Sequence, residues 1–162
     1  MQISFRNGLL GGLFLALLAG IFLIRLWDAE RQVQLHTDHL LRAIEGHAWN
    51  RVEGFIAPDY HDQWDHDRAT FIERTREVLH FVRSPEFRTS EISVRMEGNQ
   101  GTWSGRIELG AGEGEIAAEI KARLNSTRSR FTLEWRNESW KPWDWQLVRA
   151  GNPELQVPSE FR

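Results

Sequence analysis

Residues 91–109 read EISVRMEGNQGTWSGRIEL, and this stretch decides the fold class. Apolar residues alternate with polar ones before and after the glycine-containing turn at 98–101. A period of two is typical of strands that bury one face, and a tight connection between two such runs is typical of a hairpin. The stretch therefore predicts two antiparallel strands that cover an apolar core on one side.

The same alternation continues towards the C-terminus. It predicts further strands over 116–124, 131–135 and 143–147, which gives a sheet of four or five antiparallel strands. Gly105 lies within a strand, where the sheet can bend. The predicted outer face carries charges of both signs, and cross-strand pairing explains them. They are Glu91, Arg95, Arg106, Glu108, Glu119, Lys121, Arg123, Arg130, Glu134 and Arg136.

Upstream of the hairpin the apolar residues recur every three or four positions, which predicts three helices at about 28–46, 49–56 and 67–82. Helices that precede an antiparallel sheet predict an α+β fold in which the helices pack on its apolar, curved face. We assign this domain to residues 28–150. Residues 151–162 contain Pro153 and Pro158, which predict an extended tail.

At the N-terminus, residues 8–24 carry no charge and no strongly polar side chain. Extended to Trp27, this segment approaches the ~20 residues that cross ~30 Å of hydrocarbon. It also lacks a good signal-peptide cleavage site, although a cleaved signal peptide is the alternative. We therefore predict a membrane anchor, 1–27, with its helix at about 8–27. This interpretation gives a single-pass protein of the cell membrane, with its domain on the exported side.

The composition excludes several classes of function. The chain of 162 residues has no cysteine, so disulfides, zinc–thiolate sites and thiol catalysis are excluded. Its net charge is −3, with arginines interleaved among acids, and the sequence therefore predicts no nucleic-acid partner. Eight tryptophans and nine phenylalanines are enough for a large core. We predict no cofactor.

Several phrases of the sequence point to a known superfamily. They are Trp49 with Val52, FIAPDY at 55–60, DHDRATF at 65–71 and the closing Trp143-x-Trp145-x-Leu147. Over about 28–152 the chain resembles the nuclear transport factor 2-like superfamily, also called SnoaL-like or the α+β cone. The phrases are packing signatures rather than catalytic ones. The resemblance implies that an enzyme of this kind holds its acids and bases inside the cone, where our strand register places only apolar residues and glycine.

Residues 61–67, HDQWDHD, permit two interpretations. As a metal site they offer His61, Asp65 and His66, but these residues lack the one-turn spacing of H-E-x-x-H sites. As a polar joint between two helices, Asp65 would cap the third helix, Asp67 would suit its first turn and Asp62 would close the turn before it. We favour the joint and predict no metal.

Two functions remain open. The preferred hypothesis is a membrane-tethered, non-enzymatic domain that binds a protein or a small apolar ligand, with the sheet face available for a homodimer or another protein partner. The alternative is a SnoaL-like lyase, isomerase or hydrolase that acts on a small apolar substrate through Tyr60, Asp59 and His80. The aromatic residues expected to line or fill the cone are Tyr60, Trp64, Phe71, Trp103, Trp135 and Trp145.

Overall fold

The computed structural model describes residues 12–21, 28–110 and 114–155. Within these ranges five helices and four strands form an α+β fold, as predicted. The helices are α1 (12–21), α2 (Ala29–Glu45), α3 (Trp49–Phe55), α4 (Arg68–His80) and α5 (Glu115–Ser126). The strands are β1 (Phe87–Glu97), β2 (Gln100–Leu109), β3 (Phe131–Asn137) and β4 (Trp145–Gly151).

The sheet has the order β1-β2-β3-β4, and each neighbouring pair of strands is antiparallel. The predicted hairpin is present, with Val94 of β1 opposite Trp103 of β2. In its turn Gly98 has a φ of +62°, a left-handed conformation that glycine adopts without a steric penalty. The local turn chemistry and the alternation of the strands therefore agree with the pairing.

The core lies between α2 and the sheet. Val33 of α2 is fully buried, and a Cβ atom on Gly101 of β2 would lie 2.5 Å from its Cγ2 atom. Glycine at 101 thus allows the helix to approach the sheet closely. Trp103 and Trp135, both 0% exposed, belong to the same cluster. Because burial of one such side chain contributes about 1.5–3 kcal/mol, this layer is a main source of stability.

The prediction of a strand over 116–124 is wrong, because this segment forms α5. The apolar residues of the predicted strand fall at every second position: Ile116, Ala118, Ile120, Ala122 and Leu124. The three large side chains among them also recur at every fourth residue and so fit one face of a helix. The alanine, glutamate, lysine and arginine residues around them favour a helix. α5 is tied to the end of β2, since the Asn125 side chain accepts from the Leu109 amide at 2.8 Å and donates to its carbonyl at 3.1 Å.

The charged residues predicted for the outer sheet face therefore lie partly on α5 and partly on or beside the strands. Those at 119–123 lie on α5 and not on the sheet. Glu91 does pair across the outer face, with Arg130 at 3.1 Å and with Arg106 at 3.9 Å. Cross-strand pairing of opposite charges is therefore present on the strands themselves.

Two residues predicted to face the core are exposed. The pairing of β1 with β2 changes register between Ser90 and Ser93, and Glu91 within this bulge has a φ of +52°. The bulge changes which side chains point inwards, and Ile92 is 37% exposed. Trp143 precedes β4 instead of belonging to it, and it is 58% exposed. Alternation alone does not detect such an inserted residue or such a late strand start.

The apolar N-terminal segment is described only in part. Residues 12–21 are helical, whereas 1–11 and 22–27 lie outside the described residues. In the part of the chain that the structure describes, no helix has the length and apolar character needed to cross a membrane. The predicted localisation, a single-pass membrane protein with an exported domain, is therefore contradicted.

Candidate functional site

The joint between α3 and α4 lies against β4, the last strand of the sheet. The backbone amides of Ala57, His61 and Gln63 donate to carbonyl oxygens of β4 at 2.9, 3.1 and 3.3 Å. Ile56 also forms a parallel bridge with Leu147. An edge strand offers unpaired backbone groups, and here the joint uses them. The edge of the sheet therefore positions the polar side chains at 59–67.

Inside this joint Asp62 and His66 form a buried pair, with side chains 0% and 8% exposed. Asp62 Oδ1 accepts hydrogen bonds from the backbone amides of Trp64 at 2.8 Å and His66 at 2.9 Å. Asp62 Oδ2 lies 3.1 Å from His66 Nδ1. A neutral imidazole that donates from Nδ1 to the carboxylate presents Nε2 as an acceptor. The prediction that Asp62 closes the turn before the third helix is confirmed.

Tyr60 lies next to this pair in the core. It is 2% exposed, and its ring packs against Phe71 with 5.1 Å between the centroids. Burial raises the pKa of the Tyr60 hydroxyl, and the negative charge of Asp62 raises it further. The Tyr60 hydroxyl and His66 Nε2 are buried atoms for which the described residues supply no hydrogen bond of good geometry. The interior thus contains polar atoms with unused bonding capacity.

The three candidate metal ligands are not brought together. His61 and Asp65 face the solvent, 64% and 90% exposed, with 3.2 Å between His61 Nε2 and Asp65 Oδ1. His66 points inwards, to Asp62. Across residues 12–21, 28–110 and 114–155, no three histidine or acidic side chains are grouped so that they could hold a metal ion.

The capping role predicted for Asp65 is wrong. The N-cap of α4 is Asp67, whose carboxylate accepts from the Thr70 amide at 2.8 Å. Asp65 instead has a φ of +64° and lies in the turn before the helix. Both residues are aspartates and either could cap a helix, so only the path of the backbone decides which one does.

The candidate catalytic residues occupy different environments. Tyr60 is buried, whereas the Asp59 side chain is 63% exposed and accepts two hydrogen bonds from Arg136, at 2.9 and 3.0 Å. His80 is exposed at the end of α4, with its ring against Phe81. The described structure contains no contact that joins these three side chains.

The aromatic residues predicted to line or fill the cone mainly fill it. Trp103 and Trp135 are 0% exposed and Trp145 is 5% exposed. The Trp103 ring lies so close to its own strand that a Cβ atom on Gly105 would be 2.7 Å from it. Trp64 is partly buried and donates its indole N–H to the Leu155 carbonyl at 2.9 Å. Residues 156–162, the rest of the predicted tail, lie outside the described residues.

The sequence analysis missed a surface groove at one end of the sheet, which we call the rim groove. It has a volume of about 280 Å³ and a mainly apolar lining. It lies between the start of α2, the β1–β2 turn and the β3–β4 loop. Residues that line it include Gln32, Asn99, Asn137, Trp140, Lys141 and Trp145. The available signal was the loop sequence 140–145, WKPWDW, in which two tryptophans precede the strand.

Hydrogen bonds hold the loop that forms this groove. His36 of α2 places Nε2 3.0 Å from the Trp143 carbonyl and Nδ1 2.8 Å from the Gln32 carbonyl. The Trp145 indole donates to the Pro142 carbonyl at 3.1 Å, and Asn137 donates to the Lys141 carbonyl at 2.9 Å. The backbone of the loop is therefore fixed while Trp140 remains 76% exposed.

Comparison with known proteins identifies the fold. No family model matches the sequence, and no curated protein matches it. A solved structure of a nuclear transport factor 2-like protein of unknown function from Pseudomonas putida is similar with a TM-score of 0.57 and 11% identity, over 83% of this chain and 92% of that one. The fold is nuclear transport factor 2-like. The fold expected from the resemblance is confirmed over most of the chain.

Two further structures show the same architecture. A putative ketosteroid isomerase from Shewanella frigidimarina matches with a TM-score of 0.56 and 8% identity, over 76% of this chain and 95% of that one. A protein of Bdellovibrio bacteriovorus matches with a TM-score of 0.57 and 5% identity. That match covers 78% of this chain but only 40% of the longer protein. At such identities the likeness concerns the fold alone.

Proposed function

We propose that this domain is a non-enzymatic binding module, and that the rim groove binds a small ligand with an apolar ring. The observation that carries the proposal is the filled interior: Trp103 and Trp135 are 0% exposed at the centre of the cone. The resemblance implies that enzymes of this kind work inside the cone. Because Trp103, Trp135 and Tyr60 belong to one buried core cluster, the described interior offers little room for a substrate.

The chemistry of the rim groove supports a ligand there. Ligand sites are typically concave and mostly apolar, with a few polar groups that fix orientation. Here Trp140 and Trp145 supply aromatic surface, while Gln32, Asn99 and Lys141 supply amide and ammonium groups. The volume of about 280 Å³ is near the lower end of the range for ligand pockets, which favours a ligand of about one ring.

A nuclear magnetic resonance titration tests the proposal, with benzamide as the first probe because it joins one ring to one amide. The expected result is a set of shifts at the indole resonances of Trp140 and Trp145. Trp140→Ala should weaken binding about two- to tenfold, the value of one aromatic contact of about 0.5–1.5 kcal/mol. Trp143→Ala is the matched control, because Trp143 is also an exposed loop tryptophan but does not line the groove.

The result can also contradict the proposal. Equal weakening by Trp140→Ala and Trp143→Ala would mean that benzamide contacts the exposed loop without using the groove. Shifts at Tyr60 and His66, with none at Trp140, would mean that the interior opens to ligands.

Shifts at Tyr60 and His66 would support the alternative function, a lyase, isomerase or hydrolase. One observation favours it as a second candidate: the Asp62 carboxylate orients His66, whose buried Nε2 atom has no hydrogen-bond partner among the described residues. An imidazole held in this way can accept a proton from a substrate that reaches it. In that case the three working residues would be Asp62, His66 and Tyr60, in place of Tyr60, Asp59 and His80.

A further inference from the structure

We propose a second binding site, for a phosphate group, in a groove between the α2–α3 turn and α4. This basic groove has a volume of about 620 Å³ and shares no lining residue with the rim groove. The proposal is independent of the ligand proposed for the rim groove. The residues that carry it are His47, Trp49, Arg51 and Arg76.

Trp49 contacts two other side chains of this groove, Arg76 and His47. The guanidinium carbon of Arg76 lies 5.2 Å from the centroid of the Trp49 ring, a cation–π distance. The His47 ring meets the same indole edge-to-face, with 5.9 Å between centroids and 81° between planes. His47 has a φ of +52°, a left-handed conformation in the turn that follows α2. One side chain from α4 and one from the α2–α3 turn therefore converge on the half-buried indole of α3.

The positive charge of the groove is not neutralised within the described chain. Neither Arg51 nor Arg76 forms an ion pair or hydrogen bond through its guanidinium with any residue that the structure describes. The carboxylates of Glu53 on α3 and Glu77 on α4 are already paired at 2.8 Å with Arg68 and Arg74.

One further acid, Glu73, lies near the groove without pairing with its arginines. Glu73 lies one turn before Arg76 on α4 but makes no ion pair with it. Asn50, the other polar residue that lines the groove, is neutral. The groove thus concentrates positive charge in a protein whose net charge is −3.

The donors present match a phosphate group better than a carboxylate. Two guanidinium groups can each donate two parallel hydrogen bonds to an oxyanion, and guanidinium geometry suits phosphate oxygens. The His47 imidazole adds a third donor. Up to three donor groups fit the three terminal oxygens and the double charge of a phosphate monoester, whereas a carboxylate offers two oxygens and one charge. Because Arg51 and Arg76 are exposed, salt should weaken the binding.

The test is a titration of the whole protein with inorganic phosphate at constant ionic strength, followed by isothermal calorimetry and by the resonances of Arg76 and Trp49. Arg51→Gln and Arg76→Gln should each weaken phosphate binding by up to about fivefold, which corresponds to about 1 kcal/mol, the upper value for an exposed charged contact. Arg95→Gln is the matched control, because Arg95 is an exposed arginine of β1 that also has no ion pair among the described residues. It should leave phosphate binding unchanged.

Several outcomes would overturn the proposal. Equal weakening by Arg51→Gln and Arg95→Gln would reduce the effect to the general charge of the protein. Acetate binding as tight as phosphate binding would refute the phosphate assignment, and so would binding of polyglutamate without binding of phosphate. Circular dichroism of each variant shows whether it is folded, and Arg51→Gln keeps the test valid if loss of the Arg76 contact disturbs α4.

Discussion

Replacement of Asp62 by alanine should be among the most destabilising changes at a polar residue of this domain. Its carboxylate accepts three hydrogen bonds, from the Trp64 amide, the His66 amide and His66 Nδ1, at 2.8, 2.9 and 3.1 Å. Asp62→Ala would leave three donors in a buried site without an acceptor. Each unsatisfied buried donor costs about 1–3 kcal/mol, and partial entry of water should bring the total to about 3–5 kcal/mol. Domains of this size have only about 5–15 kcal/mol of stability.

Urea unfolding followed by circular dichroism measures this loss. With an m value of about 2 kcal/mol per molar urea, the midpoint should fall by roughly 2 M. Asp62→Asn keeps an oxygen for the two amides and should lose less, about 1–2 kcal/mol.

The control for Asp62 is Asp65→Asn in the same joint. Asp65 is 90% exposed, and its contact with His61 is worth about 0–1 kcal/mol. Asparagine is chosen because residue 65 has a φ of +64°, which asparagine tolerates and alanine does not. If Asp62→Ala moved the midpoint no further than Asp65→Asn does, the buried acceptor would have no structural role and the reasoning would be wrong.

Two other predictions concern Tyr60 and the glycines. Tyr60 is the only tyrosine of the chain, so ultraviolet absorbance of tyrosinate reports on it alone. Because burial raises its pKa in the folded state, its protonated form contributes stability that is present below the unfolded value of about 10 and is lost as the pH rises above it. Tyrosinate should therefore appear together with the loss of circular dichroism; its appearance in folded protein near pH 10 would contradict the burial. Gly101→Ala should destabilise the domain by about 1–3 kcal/mol, because the new Cβ atom would lie 2.5 Å from Val33 Cγ2. Gly54 lies on α3, where no atom would be within 4 Å of the new Cβ, so Gly54→Ala should instead stabilise the domain by about 0.5–1 kcal/mol. If urea unfolding gave a change of the same sign in the free energy of unfolding for both variants, the packing argument would be refuted.

The sheet shows which elements the alternation of apolar and polar residues predicts correctly. The hairpin of β1 and β2 was predictable because strand period and turn chemistry are both local properties. The segment that forms α5 was not, because Ile116, Ile120 and Leu124 satisfy a period of two and a period of four at once. The bulge at Glu91 was also hidden, since one extra residue changes a face without changing the composition.

For the joint, the sequence by itself determined that a polar, acid-rich link with a tyrosine and a tryptophan connects two helices. It did not determine which aspartate would be buried, because Asp62, Asp65 and Asp67 have the same chemistry. The edge of β4 decided this by pairing with the backbone at 57–63 and turning Asp62 inwards. Both proposed binding sites are likewise formed only by the tertiary structure. The basic groove brings together Arg51 and Arg76, and the rim groove brings together Gln32 and Trp140. These residues become neighbours only when helices and loops that are distant in sequence pack together, and the periodicity of the sequence does not predict such contacts.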